Sequence, residues 1–231
     1  MSFSTTGVAR IAEANMKRWL ERERIAEKVD SKKSPLDLGP YISISRQCGA
    51  GGEEIAAHVS KQLNWDLIDR EILEKIAEDF DVSTQLVDHI DEKHVSWLSE
   101  LFETWIGKKR FNQEAYVHDL SRLMMIAAQH GKFVVVGRGS QYILPRKFGL
   151  FVRLHAPFDH RVSEIARTTN ISESEASKVV AKTDKERAGF LKSIFQHNGE
   201  DPDSYDLVIN TSSFDAEQTS QLIIDALEMK T

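Results

Sequence analysis

The 231-residue chain has a single cysteine, Cys48, which excludes an internal disulfide and any metal site built from several thiolates. It has no apolar run approaching the roughly 20 residues of a membrane-spanning helix. Its first 30 residues are charged and lack the apolar core of a secretion signal. Basic residues are not in surplus. Thirty lysines and arginines stand against 36 aspartates and glutamates, a net charge of −6, which disfavours a general nucleic-acid-binding role. No repeat or low-complexity tract occurs. The expectation is a cytoplasmic protein that binds neither membrane nor nucleic acid. Its composition is that of a soluble globular chain, long enough to bury one substantial core.

Patterning then divides the chain. Val8, Ile11, Ala12, Met16, Trp19 and Leu20 fall near helical spacing, so 7–29 reads as a helix. Ser31-Lys-Lys-Ser-Pro35 breaks that pattern, and 1–40 becomes an N-terminal helix and linker. The Trp19-bearing helix packs on the main domain or on a partner chain, and a homodimer is one way to cover it. From Tyr41 to the C-terminus, short β-rich runs at 41–45, 66–68, 132–136, 150–154 and 206–209 read as strands. Helices are predicted near 52–63, 70–80, 83–90, 94–106, 112–130, 157–169, 172–196 and 215–229. Such alternation predicts an α/β domain with a parallel sheet covered on both faces. The helical stretch 70–130, between the second and third strands, is either a substrate lobe or extra packing.

The richest segment is Tyr41-Ile-Ser-Ile-Ser-Arg-Gln-Cys-Gly-Ala-Gly-Gly-Glu-Glu-Ile-Ala56. A strand runs into Gly49, Gly51 and Gly52, and then a helix with Ile55, Ala56, Val59 and Leu63 on one face. Glycines let main-chain N–H groups close on a phosphate, and the helix dipole favours negative charge there. Against the phosphate-loop pattern G-x-x-x-x-G-K-[ST], Arg46 replaces the first glycine. Gly52 replaces the lysine and Glu53 the hydroxyl residue. Arg46 is positioned to swing over the loop and supply the missing positive charge. Glu53 either points outward, where it suits the helix dipole, or holds Mg²⁺ in place of the lost hydroxyl. A tight turn without phosphate is the plain alternative.

Ligands of doubly wound sheets bind beyond the carboxyl ends of the strands. After the second strand come Asp69 and Arg70, one a helix cap or the neighbour of a metal or substrate hydroxyl, the other aimed at a phosphate. After the third, Gly137-Arg138-Gly139 exposes an arginine fork to the cleft or to solvent. After the fourth, His155 and His160 lack the spacing of a zinc site. Arg161 and Arg167 lie on the helix that follows, facing a nucleotide cleft or water. Asp184 and Arg187 are three apart on a helix, the spacing of a local ion pair.

Taken together, these residues resemble the cytidylate kinase-like family of nucleoside monophosphate kinases. Ile44-Ser-Arg-Gln-Cys-Gly-Ala-Gly-Gly52, Leu63-Asn-Trp-Asp-Leu-Ile-Asp69, Val136-Gly-Arg138-Gly, Asp184-Lys-Glu-Arg187 and Tyr205-Asp-Leu-Val-Ile-Asn-Thr211 carry the resemblance, in order. It implies a three-layer P-loop kinase fold over 41–231, with a five-stranded parallel sheet, an acceptor lobe at 70–130 and a lid at about 158–190. It also implies ATP and Mg²⁺, with transfer of the γ-phosphoryl group to CMP or dCMP. Gly49, Ala50, Gly51, Gly52 and Glu53 would give N–H groups to the ATP phosphates. Asp69, Arg70, Arg138, Asp184 and Arg187 would serve the acceptor. Arg46, from its place before the glycine turn, and Arg161 and Arg167, from the helix after the fourth strand, are the expected catalytic arginines. A non-catalytic nucleotide-binding module, or a relic with an empty site, is the competing expectation, because the loop lysine is missing.

Overall fold

The computed structural model describes residues 38–69 and 113–230. The predicted helices at 7–29, 70–80, 83–90 and 94–106, and Arg70, lie outside the described residues. The chain forms two compact units, one of 39–70 and 131–231, the other of 1–38 and 71–130. In the second unit the described element is α2, Gln113–His130. Leu120, Leu123, Met124 and Ala127 are buried along one stripe of it, the spacing of an amphipathic helix.

The first unit is an α/β sheet domain. Its strands are β1 (Tyr41–Arg46), β2 (Asp66–Ile68), β3 (Phe133–Val136), β4 (Gly149–His155) and β5 (Leu207–Asn210). They lie in the order β2-β3-β1-β4-β5, and every pairing is parallel. Its helices are α1 (Gly52–Leu63), the one-turn α3 (Ser140–Ile143), α4 (Phe158–Thr169), α5 (Glu173–Phe195) and α6 (Ala216–Lys230). β1 sits at the centre, flanked by β3 and β4, so its carboxyl end is where the direction of winding reverses. That is the place a doubly wound sheet offers a ligand.

Alternation along the strands gives each face its own filling. Ile42 and Ile44 of β1, Val134 and Val136 of β3, and Val152 and Leu154 of β4 point to one side. There they meet Ile55, Ala56 and Val59 of α1 and Ile223, Ile224 and Leu227 of α6. This core fixes α1, and therefore the glycine loop at its start. On the other face the Tyr41 ring stands 5.4 Å from that of Phe133 and 6.2 Å from that of Phe151. Ser43 meets Ser140 of α3 at 2.7 Å on the same side.

The connection between α4 and α5 is locally coded. Asn170 closes α4 in the left-handed conformation, and Ser172 opens α5 with a reciprocal capping box to Glu175. The two helices enclose a small apolar cluster of Val162, Ala176 and Val180, and Cys48 of the glycine loop inserts into it. The hairpin is thereby seated on the loop. No helix among the described residues is long and apolar enough to cross a membrane.

Candidate functional site

The loop between β1 and α1 is held open by glycine and closed by side chains from elsewhere. Gly51 caps α1 with φ +73°, in the left-handed region, and offers no side-chain acceptor to the first-turn N–H groups. Those donors have no partner within the helix, and they suit an anion. Two loop donors are already committed. Ala50 N–H donates to the Gln47 carbonyl at 3.3 Å, and Cys48 N–H to Asp184 Oδ1 at 2.8 Å. The Ala50 N–H, expected to serve a phosphate, closes this turn. Gly49, Gly51, Gly52 and Glu53 complete the loop and the first turn of α1.

Arg161 braces this loop from α4. It is 6% exposed, and its guanidinium donates to the Ala156 carbonyl at 3.0 Å, the Cys48 carbonyl at 2.9 Å and Asp184 Oδ2. A β-carbon on Gly49 would stand 2.5 Å from the Arg161 carbonyl, so glycine is required for this approach. Asp184, expected at the acceptor, faces the loop with both oxygens engaged. Arg161 and Asp184 therefore hold the glycine loop in place, a role that sequence spacing did not show.

Arg46 lies across the loop. A β-carbon on Gly52 would be 2.6 Å from Arg46 Cγ, and one on Gly137 would be 2.2 Å from Arg46 Nη1. The glycine that stands in the lysine position is what admits the Arg46 stem. Its Nε and Nη2 donate to Glu53 Oε1 at 3.1 and 2.9 Å. Arg187 Nη2 lies 3.6 Å from the same oxygen, and Arg187 Nη1 donates to the Arg46 carbonyl at 3.3 Å. Burial works to raise the Glu53 carboxyl, but Arg46 and Arg187 outweigh it and hold it below the ordinary carboxylate range. Burial and the charge of Arg46 pull the Arg187 guanidinium below its usual value.

Holding Mg²⁺ was one of the two expectations for Glu53. Its carboxylate is shared by two guanidiniums, which leaves it a poor cation ligand. Among the described residues no group of three or more histidine, cysteine, aspartate or glutamate side chains could hold a metal.

Beside Arg46 opens a cavity of about 230 Å³. Its walls carry four arginines, Arg46, Arg138, Arg153 and Arg187, against one carboxylate, Glu186. Arg138 adopts φ +56° between two glycines, and its guanidinium lies 5.3 Å from the Phe190 ring centroid, a cation–π distance. Sequence reasoning placed Arg138 and Arg187 here. It missed Arg153, whose signal was a lone charge inside the apolar run Leu150-Phe-Val-Arg-Leu154. Phe190 carried no comparable signal. Arg167 is not brought to the cavity. Its side chain is exposed on α4 and paired with Glu164 at 2.7 Å. Asp69 follows β2 directly, half-buried at the edge of the sheet.

The Cys48 thiol is buried, and burial pushes it up, although Arg187 and Thr183 pull the other way. A thiol in that state is a packing group rather than a nucleophile.

Residues 41–213 match the model of the cytidylate kinase-like family. A cytidylate kinase from Methanocaldococcus jannaschii is 26% identical over 113 residues, 48% of this chain and 64% of that protein. A uronate isomerase from Corynebacterium glutamicum is 32% identical over 98 residues, 42% of this chain. The chain thus spans less than two thirds of these relatives, 19% of the isomerase and 64% of the kinase. Among solved structures, an uncharacterised protein from Eubacterium ventriosum superposes with a TM-score of 0.63 at 18% identity, covering 81% of this chain and 98% of that one. That likeness concerns the fold.

Proposed function

This chain belongs to the cytidylate kinase-like family, and we propose that it moves the γ-phosphoryl group of ATP onto a nucleoside monophosphate of the CMP or dCMP kind. The observation that carries this reading is the adjacency of two anion-seeking surfaces. The glycine loop offers main-chain donors at the start of α1, and the arginine-lined cavity begins at Arg46, which touches both.

In this reading an oxygen of the acceptor phosphate bonds to the γ-phosphorus. The bond from that phosphorus to the β–γ bridging oxygen breaks, ADP leaves, and a nucleoside diphosphate forms. Phosphoryl transfer asks the protein mainly for positioning and charge neutralisation. Gly49, Gly51 and Gly52 hold the donor phosphates through N–H groups. Arg138 and Arg187 bind the acceptor. Arg46 neutralises the group in transit, the task of the absent lysine. Arg161 and Asp184 fix the loop that all of this depends on. Magnesium enters with ATP as part of the substrate.

Glu53 favours a second reading, a nucleotide-binding module that does not turn over, because it occupies the guanidiniums of Arg46 and Arg187. A coupled assay with MgATP and a panel of CMP, dCMP, UMP, AMP and GMP separates the two. Turnover with CMP or dCMP is the expected result. ATP binding without turnover on any acceptor sinks the kinase reading in favour of the module.

A further inference from the structure

Arg153 is the unexplained charge of the sheet. It lies on β4, an interior strand between β1 and β5, where burying a guanidinium is unfavourable unless it is well paired. Its side chain is 11% exposed and lines the cavity. Nη1 donates to Ser45 Oγ at 2.8 Å, and Nη2 to Glu200 Oε1 at 2.7 Å. Behind Ser45, the Tyr205 hydroxyl stands 3.3 Å from the same Oγ. One side of the guanidinium is therefore anchored to the sheet. The other side is held by a carboxylate that is 58% exposed and belongs to the loop after α5.

Arg46 repeats the arrangement across the cavity. Its side chain is also 11% exposed, and its partner Glu53 is 63% exposed. Two buried arginines thus face one cavity, each satisfied by a water-facing glutamate. An exposed carboxylate holds its partner weakly, because water competes with it. A phosphate offers the planar guanidinium fork more oxygens and more charge. With four arginines against Glu186 on its walls, the cavity is built to receive anionic oxygens.

We propose that Arg153 is an anion-binding residue of this cavity, and that a phosphate group displaces Glu200 from it while the Ser45 bond persists. The identification of that phosphate as the acceptor's rests on the kinase reading above. The subsite itself does not, since inorganic phosphate probes it directly.

Calorimetric titration of the full chain with inorganic phosphate and with CMP tests the proposal. Glu200→Gln, an exposed change, is expected to tighten phosphate binding several-fold. Arg153→Gln is expected to weaken it about tenfold, the scale of one charged hydrogen bond. Arg153→Lys should fall between, and Glu200→Gln should have no effect in the Arg153→Gln background. If Glu200→Gln lowers the melting temperature but leaves phosphate affinity unchanged, the pair is only a structural tie and the proposal is overturned. That arm decides even if Arg153→Gln fails to fold. No phosphate binding to the wild-type chain at millimolar concentration overturns it too. Phosphate binding through Arg153 without any CMP binding sinks the acceptor reading and leaves the subsite. CMP and phosphate binding unchanged in both variants does the reverse.

Discussion

Arg46 lies across Gly52, its Cγ only 2.6 Å from where a β-carbon on that glycine would stand. The glycine in the lysine position and the arginine in place of the first loop glycine are therefore sterically linked. A side chain at 52 and the Arg46 stem cannot occupy the same space.

Gly52→Ala should displace Arg46 and cost about 1–3 kcal/mol of stability, the range for forcing a group into a packed site. Gly52→Lys should abolish ATP binding in the wild-type background. Combined with Arg46→Ala it should regain part of that binding, because the lysine then has both room and a role. Urea denaturation reads the stability of Gly52→Ala, and calorimetry with a non-hydrolysable ATP analogue reads the binding of the other two. Equal affinities for Gly52→Lys with and without Arg46 would show that the two positions are independent.

Glu53→Gln should free Arg46 and Arg187 for a ligand. We expect tighter binding of the ATP analogue, by several-fold. The held carboxyl lies below its ordinary value, so in the wild type its protonation at acid pH should mimic the substitution. Binding should strengthen as pH falls through the depressed Glu53 value, and this limb should vanish in Glu53→Gln. A pH series of titrations on both proteins reads the difference.

Asp184→Asn should loosen the loop, since it weakens both the Cys48 N–H bond and the Arg161 pair. A loss of about 2 kcal/mol is expected, less than for a fully buried pair because Asp184 is partly exposed. Urea denaturation gives the stability. In steady-state kinetics the Michaelis constant for ATP should rise more than that for the acceptor. The opposite order would mean that Asp184 acts at the acceptor after all.

Asp206 should govern part of the acid stability. It accepts from the Phe151 N–H at 2.9 Å, Arg146 at 2.8 Å and Lys230 at 2.5 Å. Burial works to raise its carboxyl, but Lys230 and Arg146 outweigh it and hold the value down. A depressed carboxyl stabilises the fold above its unfolded value, and this contribution fades as pH falls through the folded one. Denaturant midpoints from neutral pH downward should fall less steeply in Asp206→Asn.

Much of this architecture was readable in advance, for a physical reason. Runs such as Phe133-Val-Val-Val136 are short, β-branched and flanked by glycine, which identifies an interior parallel strand without knowledge of its neighbours. The helix at 52–63 follows from glycine, then acid, then apolar spacing, and α1 spans those residues. The one-turn helix at Ser140–Ile143 was not visible, because four residues carry no period. The roles of Arg161 and Asp184 were hidden for a different reason. Their spacing on α4 and α5 shows only which face of each helix they share. It cannot show that the hairpin folds back on Cys48, far away in sequence. Arg153 could have been found, since one charge in an apolar strand calls for a partner.

α5 is a single helix of 23 residues, about 35 Å long by its rise per residue. Within one stretch of it, Asp184 holds the glycine loop while Arg187 and Phe190 line the cavity. The helix is a rigid rod with both halves of the site attached to it. A tilt that suits one ligand must move the contacts of the other, so occupancy on one side is a thermodynamic variable of the second. In the kinase reading proposed above, linkage then requires that whatever factor the acceptor applies to ATP affinity, ATP applies to the acceptor.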